Sequence, residues 1–179
     1  MILMGLHPNH GRDHHLTVYH YVTDNWLNAL VVIHVLAAII GIGPTFFSPL
    51  LLRKGQTLGQ ARYSLALMSK LEFFPKILGS LAVVTGLLLA WLGDNYGFDL
   101  FWIYGSIAIY VIIQVIVIGF LAPVGAKAAA IANASKEDPE QQAPADLNAL
   151  IVKANKIHYS AMVFGVLLFL FMFFKPTLS

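Results

Sequence analysis

Residues 26–52 read WLNALVVIHVLAAIIGIGPTFFSPLLL, and Arg53 and Lys54 follow at once. No Asp, Glu, Lys or Arg interrupts the run. About 20 apolar residues in a helix cross a hydrocarbon core of about 30 Å, so this stretch spans a bilayer with slack for tilt. It holds one ionisable side chain, His34. At helical spacing His34, Ala38, Gly41, Thr45 and Ser48 share a face, while Leu30, Val32, Leu36, Ile40 and Phe47 lie mostly elsewhere. Small and weakly polar faces pack on other helices in lipid, so His34 is expected to turn into a bundle.

The rest of the composition agrees. The chain has 179 residues, 58% hydrophobic and 11% charged, against about 25% charged in soluble domains. There is no Cys, which removes thiolate metal sites and Fe–S clusters. A formal net charge of +2 argues against a nucleic-acid binder. The run at 26–52 exceeds the core of a cleaved signal peptide and lacks a good A-x-A site, so it reads as retained.

Three further spans follow, at about 73–92, 100–122 and 157–174. The second carries a small face of Gly79, Val83, Gly86, Ala90 and Gly93, with Pro75 and Lys76 at its foot. Asp94, Asn95, Tyr96 and Gly97 form a turn, which predicts that the third span runs antiparallel beside the second. The third carries a polar stripe, Ser106, Tyr110 and Gln114, suited to interhelical hydrogen bonds or a small polar path. Residues 127–133 continue it as helix, and 135–145 form a polar linker. Asp146 is the expected N-cap of the last helix. Residues 61–68 are expected to lie as a helix along the membrane surface. Residues 1–25 form a polar, His-rich segment without regular structure at its start, because of Pro8, Asn9 and Gly11. The fold class is therefore all-α, a four-helix transmembrane bundle with helices three and four extended into the cytoplasm.

Charge sets the orientation. Arg53, Lys54, Arg62, Lys70, Lys76, Lys127, Lys136, Lys153 and Lys156 lie in or beside the loops after spans one and three. Only Arg12 and Lys175 lie on the other side. The positive-inside rule places both termini outside and the long loops in the cytoplasm of a bacterial inner membrane.

The segments HVLAAIIGIGPTFF, PKILGSLAVVTGLLLAW and FLFMFFKP resemble an uncharacterised bacterial family of four-span integral membrane proteins, a domain of unknown function, over about 26–176. A His early in span one is more distantly similar to the CopD-type copper-resistance proteins and the HemJ-type protoporphyrinogen oxidases. That resemblance implies haem or metal binding at His34. HemJ-type proteins also use a Lys on a later helix, and no Lys lies well inside spans three or four here.

An ionisable group about 12 Å below the surface, as His34 would be, is a functional candidate by default. It reads as an axial ligand to haem b, a metal or proton site, or an imidazole bonded across the bundle. Met172, about 22 Å up span four, lies near the same level and is the candidate second haem ligand, although Met also fills lipid-facing gaps. His158, at the opposite edge, would sit roughly 15 Å from His34 along the normal, too far to share an ion; with Lys156 it reads as an interfacial, snorkelling residue. His10, His14, His15 and His20 would suit copper, zinc or nickel, or belong to a mobile tail. No Asp or Glu lies within a span, which argues against a proton-coupled transporter. Three functions stand: haem or metal binding for redox or metal handling, a non-catalytic structural or assembly subunit acting as a homo-oligomer or within a membrane complex, and a small oligomeric transporter.

Overall fold

The computed structural model describes the backbone of residues 10–93 and 97–177 and the side chains from Asn25 onward, apart from residues 94–96 and 178–179. All the regular structure described is helical. α1 (His10–Ile42) runs into a 3₁₀ turn (Gly43–Phe47) and the short α2 (Ser48–Leu51). α3 (Leu58–Leu71) leads through a π turn (Pro75–Gly79) into α4 (Ser80–Leu92). α5 (Phe101–Gln114), a π stretch (Val115–Leu121) and α6 (Ala122–Ala134) form the third rod, and α7 (Ala145–Phe174) the fourth. Four segments are long and apolar enough to cross a membrane: Asn25–Leu51, Leu58–Leu92, Phe101–Ala134 and Ala145–Phe174.

Proline explains where the rods deviate. It lacks an N–H and crowds the carbonyl four residues back. Pro44 and Pro49 fall in the 3₁₀ turn and α2, Pro75 opens one π turn, and Pro123 follows the other by two residues. The helices absorb the missing bond by a local change of winding rather than by ending.

Several expectations change. Helix α1 begins at His10, so the backbone of the polar segment continues the first span; one Gly in a long helix costs only about 1 kcal/mol. Residues 61–68 are not a separate helix: they continue into the second span as part of the 35-residue segment Leu58–Leu92, in which Pro75 opens a π turn. Pro144, not Asp146, occupies the cap position of α7; Asp146 sits in the first turn and accepts from Leu147 N–H (2.8 Å), a favoured place for a negative charge. α5 packs chiefly on α7, not on its chain neighbour α4, whose main partner is α1.

Small residues set the α1–α4 contact. Gly41 faces the backbone of Gly79, where an added Cβ would come to 2.8 Å from its nitrogen. Ala37, Ala38 and Ala82 cluster behind it, with Phe169 of α7 against them. His34 lies on Gly86. Positions 34, 38 and 41 meet 86, 82 and 79, the countdown antiparallel helices require. The small faces expected for spans one and two are the ones that meet. On the other side of the bundle Gly105 of α5 seats the Phe171 ring.

The densest core lies at the basic end. Leu58, Ala61, Ala128, Leu147 and Ile151 are fully buried there between α3, α6 and α7. Gly55, with φ +79 in the left-handed region open to glycine, turns the chain from α2 toward α3. The two long connections then clasp each other. Leu58 N–H donates to Gln141 O, Gly59 N–H to Pro139 O, and Ala143 N–H to Gln56 O. Thr57 and Gln60 form a reciprocal cap on α3. Arg62 closes the other end of this headpiece: its Nε donates to Ala132 O (2.7 Å) and its Nη2 to Ser135 O (2.5 Å). These carbonyls end α6 and have no helical partner.

Candidate functional site

Two histidines inside the apolar helices join different pairs of elements. His34 is half-buried between α1 and α4. Its Nδ1 lies 2.7 Å from Ala82 O and 3.2 Å from Thr85 Oγ1. A carbonyl only accepts, so Nδ1 carries the proton and Nε2 keeps its lone pair. Thr85, itself buried, donates its hydroxyl back to Leu81 O (2.8 Å) and presents its oxygen to the imidazole. Gly86 completes the seat: a Cβ there would stand 2.8 Å from His34 Cε1. Gly86 was visible in the sequence as part of a small face. Thr85 was not, because a lone Thr in an apolar run carries no signal of its own.

His158 departs from its expected place. It does not snorkel: it is 5% exposed, on the inward face of α7 with Ile151, Ala154, Ala161 and Gly165. Its Nε2–H donates to Thr45 O at 2.7 Å. The reason lies in Pro49. In a regular helix the N–H of residue 49 would bond Thr45 O, and proline has none. Ser48 N–H reaches that oxygen through the 3₁₀ turn, and His158 supplies the second bond. Proline is tolerated inside membrane helices where a neighbouring element re-satisfies the freed backbone group, and here α7 brings the donor. The hydropathy edge near residue 157 hid this, since Lys153 and Lys156 made the start of span four look like a water boundary.

The remaining candidates do not gather at either histidine. Ser106 is buried and donates to Trp102 O (2.6 Å) within its own helix. Tyr110 and Gln114 are half-buried on the same rod, Gln114 at the last residue of α5. Met172 is half-buried near the end of α7. Its neighbour Phe171 packs on Gly105 and Phe101 of α5, and no described contact joins Met172 to His34. The backbone of His10, His14, His15 and His20 lies on α1, and their side chains lie outside the described residues.

Among the described residues no three His, Asp or Glu side chains converge on a point that would hold a metal ion. A closed metal centre does not fit these donors. What His34 offers is a single oriented imidazole. Its Nδ1–H on a carbonyl is the arrangement that fixes a ligating histidine, but among the described residues it is not part of a group of three ligating side chains.

One family model matches residues 28–176, and it describes a predicted integral membrane protein (DUF2269). No curated protein and no solved structure matches the chain.

Proposed function

This chain belongs to the DUF2269 family of predicted integral membrane proteins, and on that premise we propose that it is a non-catalytic structural or assembly subunit of a bacterial inner-membrane complex. It sits in the lipid bilayer through four apolar helices. One observation carries the functional reading: each histidine inside the spans commits its N–H to a backbone carbonyl of a neighbouring element, His34 to Ala82 and His158 to Thr45. The groups that would otherwise serve proton or metal chemistry hold the bundle together.

The cation bias supplies the orientation. With both termini outside, the basic end faces the cytoplasm. Leu58–Leu92 and Phe101–Ala134 contain 35 and 34 residues, about 50 Å of helix against a core of about 30 Å. The surplus, with the start of α7, forms a cytoplasmic headpiece offered to partners. Because the chain has no Cys, single-Cys variants report the orientation cleanly. Ser135→Cys should react only with a membrane-permeant thiol reagent in intact cells, and Phe98→Cys also with an impermeant one. The reverse pattern would turn the molecule over.

A second reading, haem or metal at His34, is favoured by the imidazole Nε2, which keeps its lone pair while Nδ1 is held. Met172 or the His10, His14, His15 and His20 group would then supply the partner ligand. Reduced-minus-oxidised spectra, metal analysis and native mass spectrometry of protein purified from its own membranes separate the readings. The subunit reading expects colourless, metal-free protein in an oligomer or complex for both wild type and His34→Ala. A haem band lost in His34→Ala would overturn it.

A further inference from the structure

Buried polar atoms on α2, on the connection after it and on α7 lack a protein partner. Ser48 is 1% exposed, and His158 and Gln56 are each 5% exposed. Each keeps one polar atom without a protein partner: Ser48 Oγ, His158 Nδ1 and Gln56 Oε1. Asn155 Oδ1, buried one turn before His158 on α7, is a fourth. Such groups are costly to leave unmade.

Three of the four, Ser48, His158 and Gln56, are linked through the backbone. Ser48 N–H and His158 Nε2–H meet on the same oxygen, Thr45 O. Leu52 N–H returns to Ser48 O. The Gln56 amide donates to Leu51 O (2.9 Å) and to Ser64 Oγ (3.0 Å). Gln56 and Ser64 also line a cavity of about 470 Å³ bordered by Arg53, Tyr63 and Glu140. Residues 45–56 thus form a seam of polar groups between this cavity and the Thr45 carbonyl that His158 meets.

The unmet atoms are alike in kind. With Nε2 protonated, His158 Nδ1 only accepts; so do Gln56 Oε1 and Asn155 Oδ1, and a serine hydroxyl does either. The missing group is a small donor of two or more hydrogen bonds. None of the four residues is a carboxylate, so a buried cation would lack a counter-charge. Water meets the requirement: buried waters make two to four bonds to such groups, and water is one of the devices that re-satisfy proline-interrupted helices in membranes.

We propose that this seam is an internal water site. Ordered water bridges His158 Nδ1, Ser48 Oγ and Asn155 Oδ1 and continues past Gln56 to the cavity. His158 is wetted from the headpiece end although it lies within a membrane-spanning helix. This stands independently of the subunit reading.

Water-edited solid-state NMR on ¹⁵N,¹³C-histidine-labelled protein in lipid bilayers tests it. The His158 ring signals should build up from water magnetisation as fast as those of exposed groups. In Ser48→Ala, which removes one anchor with little change in volume, the build-up should slow several-fold. A His158 ring seen in the ordinary spectrum but silent in the water-edited one would overturn the proposal, and the wild-type protein alone decides this if Ser48→Ala does not fold. A His158 resonance that shifts when sodium and potassium are replaced by choline would assign the seam to a cation and also overturn it.

Discussion

Pro49 has no N–H to give, and the carbonyl it leaves open at Thr45 is met by His158 from another helix. The two residues should therefore be coupled. His158→Leu is expected to cost about 0.5–1.5 kcal/mol, the net worth of one hydrogen bond, since Ser48 N–H still reaches Thr45 O. Pro49→Ala restores a local N–H, so in that background the same change should cost less than half as much. Thermal unfolding of the four proteins in detergent, read as a double-mutant cycle, measures this; equal costs in both backgrounds would show that Thr45 O does not depend on His158. His34 and Gly86 form a second pair, coupled by space. Gly86→Ala places a methyl 2.8 Å from His34 Cε1 and should destabilise by about 1–3 kcal/mol, as overpacking does. In His34→Ala the ring is gone, and Gly86→Ala should become nearly neutral in the same assay.

At the level of elements, Arg62 shows what a long polar side chain does between helices. Its guanidinium reaches from α3 to two carbonyls at the end of α6, Ala132 O and Ser135 O, from two different nitrogens. Lys concentrates its donors on one nitrogen and lacks the planar fork that reaches the two oxygens from separate nitrogens. Arg62→Lys and Arg62→Ala should therefore both fray the last turn of α6. Faster amide hydrogen exchange at residues 131–135, with α4 and α5 unchanged, is the expected readout. Protection equal to wild type in Arg62→Lys would mean that one donor suffices. By contrast Lys76 and Glu72, paired at 2.7 Å but 71% and 52% exposed, add little, because water already solvates both.

Across the whole molecule packing is uneven. Near the basic end, side chains of α3, α6 and α7 are fully buried. In the apolar rods large residues such as Val163, Ile118 and Phe173 face outward at 66–80% exposure, which suits lipid as solvent, since acyl chains are as apolar as the side chains themselves. Core substitutions should follow that division. Ala128→Leu, at a position with 0% exposure, should cost about 1–3 kcal/mol by overpacking. Val163→Leu, at 67% exposure, should change stability by less than about 0.5 kcal/mol. Comparable losses at both sites, measured in the same detergent, would place a tight packing partner against Val163.

Length and hydropathy by themselves determined the four spans, because a backbone in lipid has few ways to satisfy its hydrogen bonds. Side-chain size on a helical wheel marked the small faces of spans one and two, and Gly41 and Gly86 are where their close approach leaves no room for a Cβ. His34 was legible as a polar group turned inward, because burial in lipid needs a partner. Its partner was not: Ala82 O is a backbone atom present at every position, and only the register of α1 against α4 selects it. His158 was misplaced for the same reason. Flanking lysines mark where charge can reach water, not how deep a neighbouring imidazole is packed. Which donor reaches the carbonyl that Pro49 leaves open depends on the approach of α7 to the 3₁₀ turn, and that approach belongs to the tertiary structure alone.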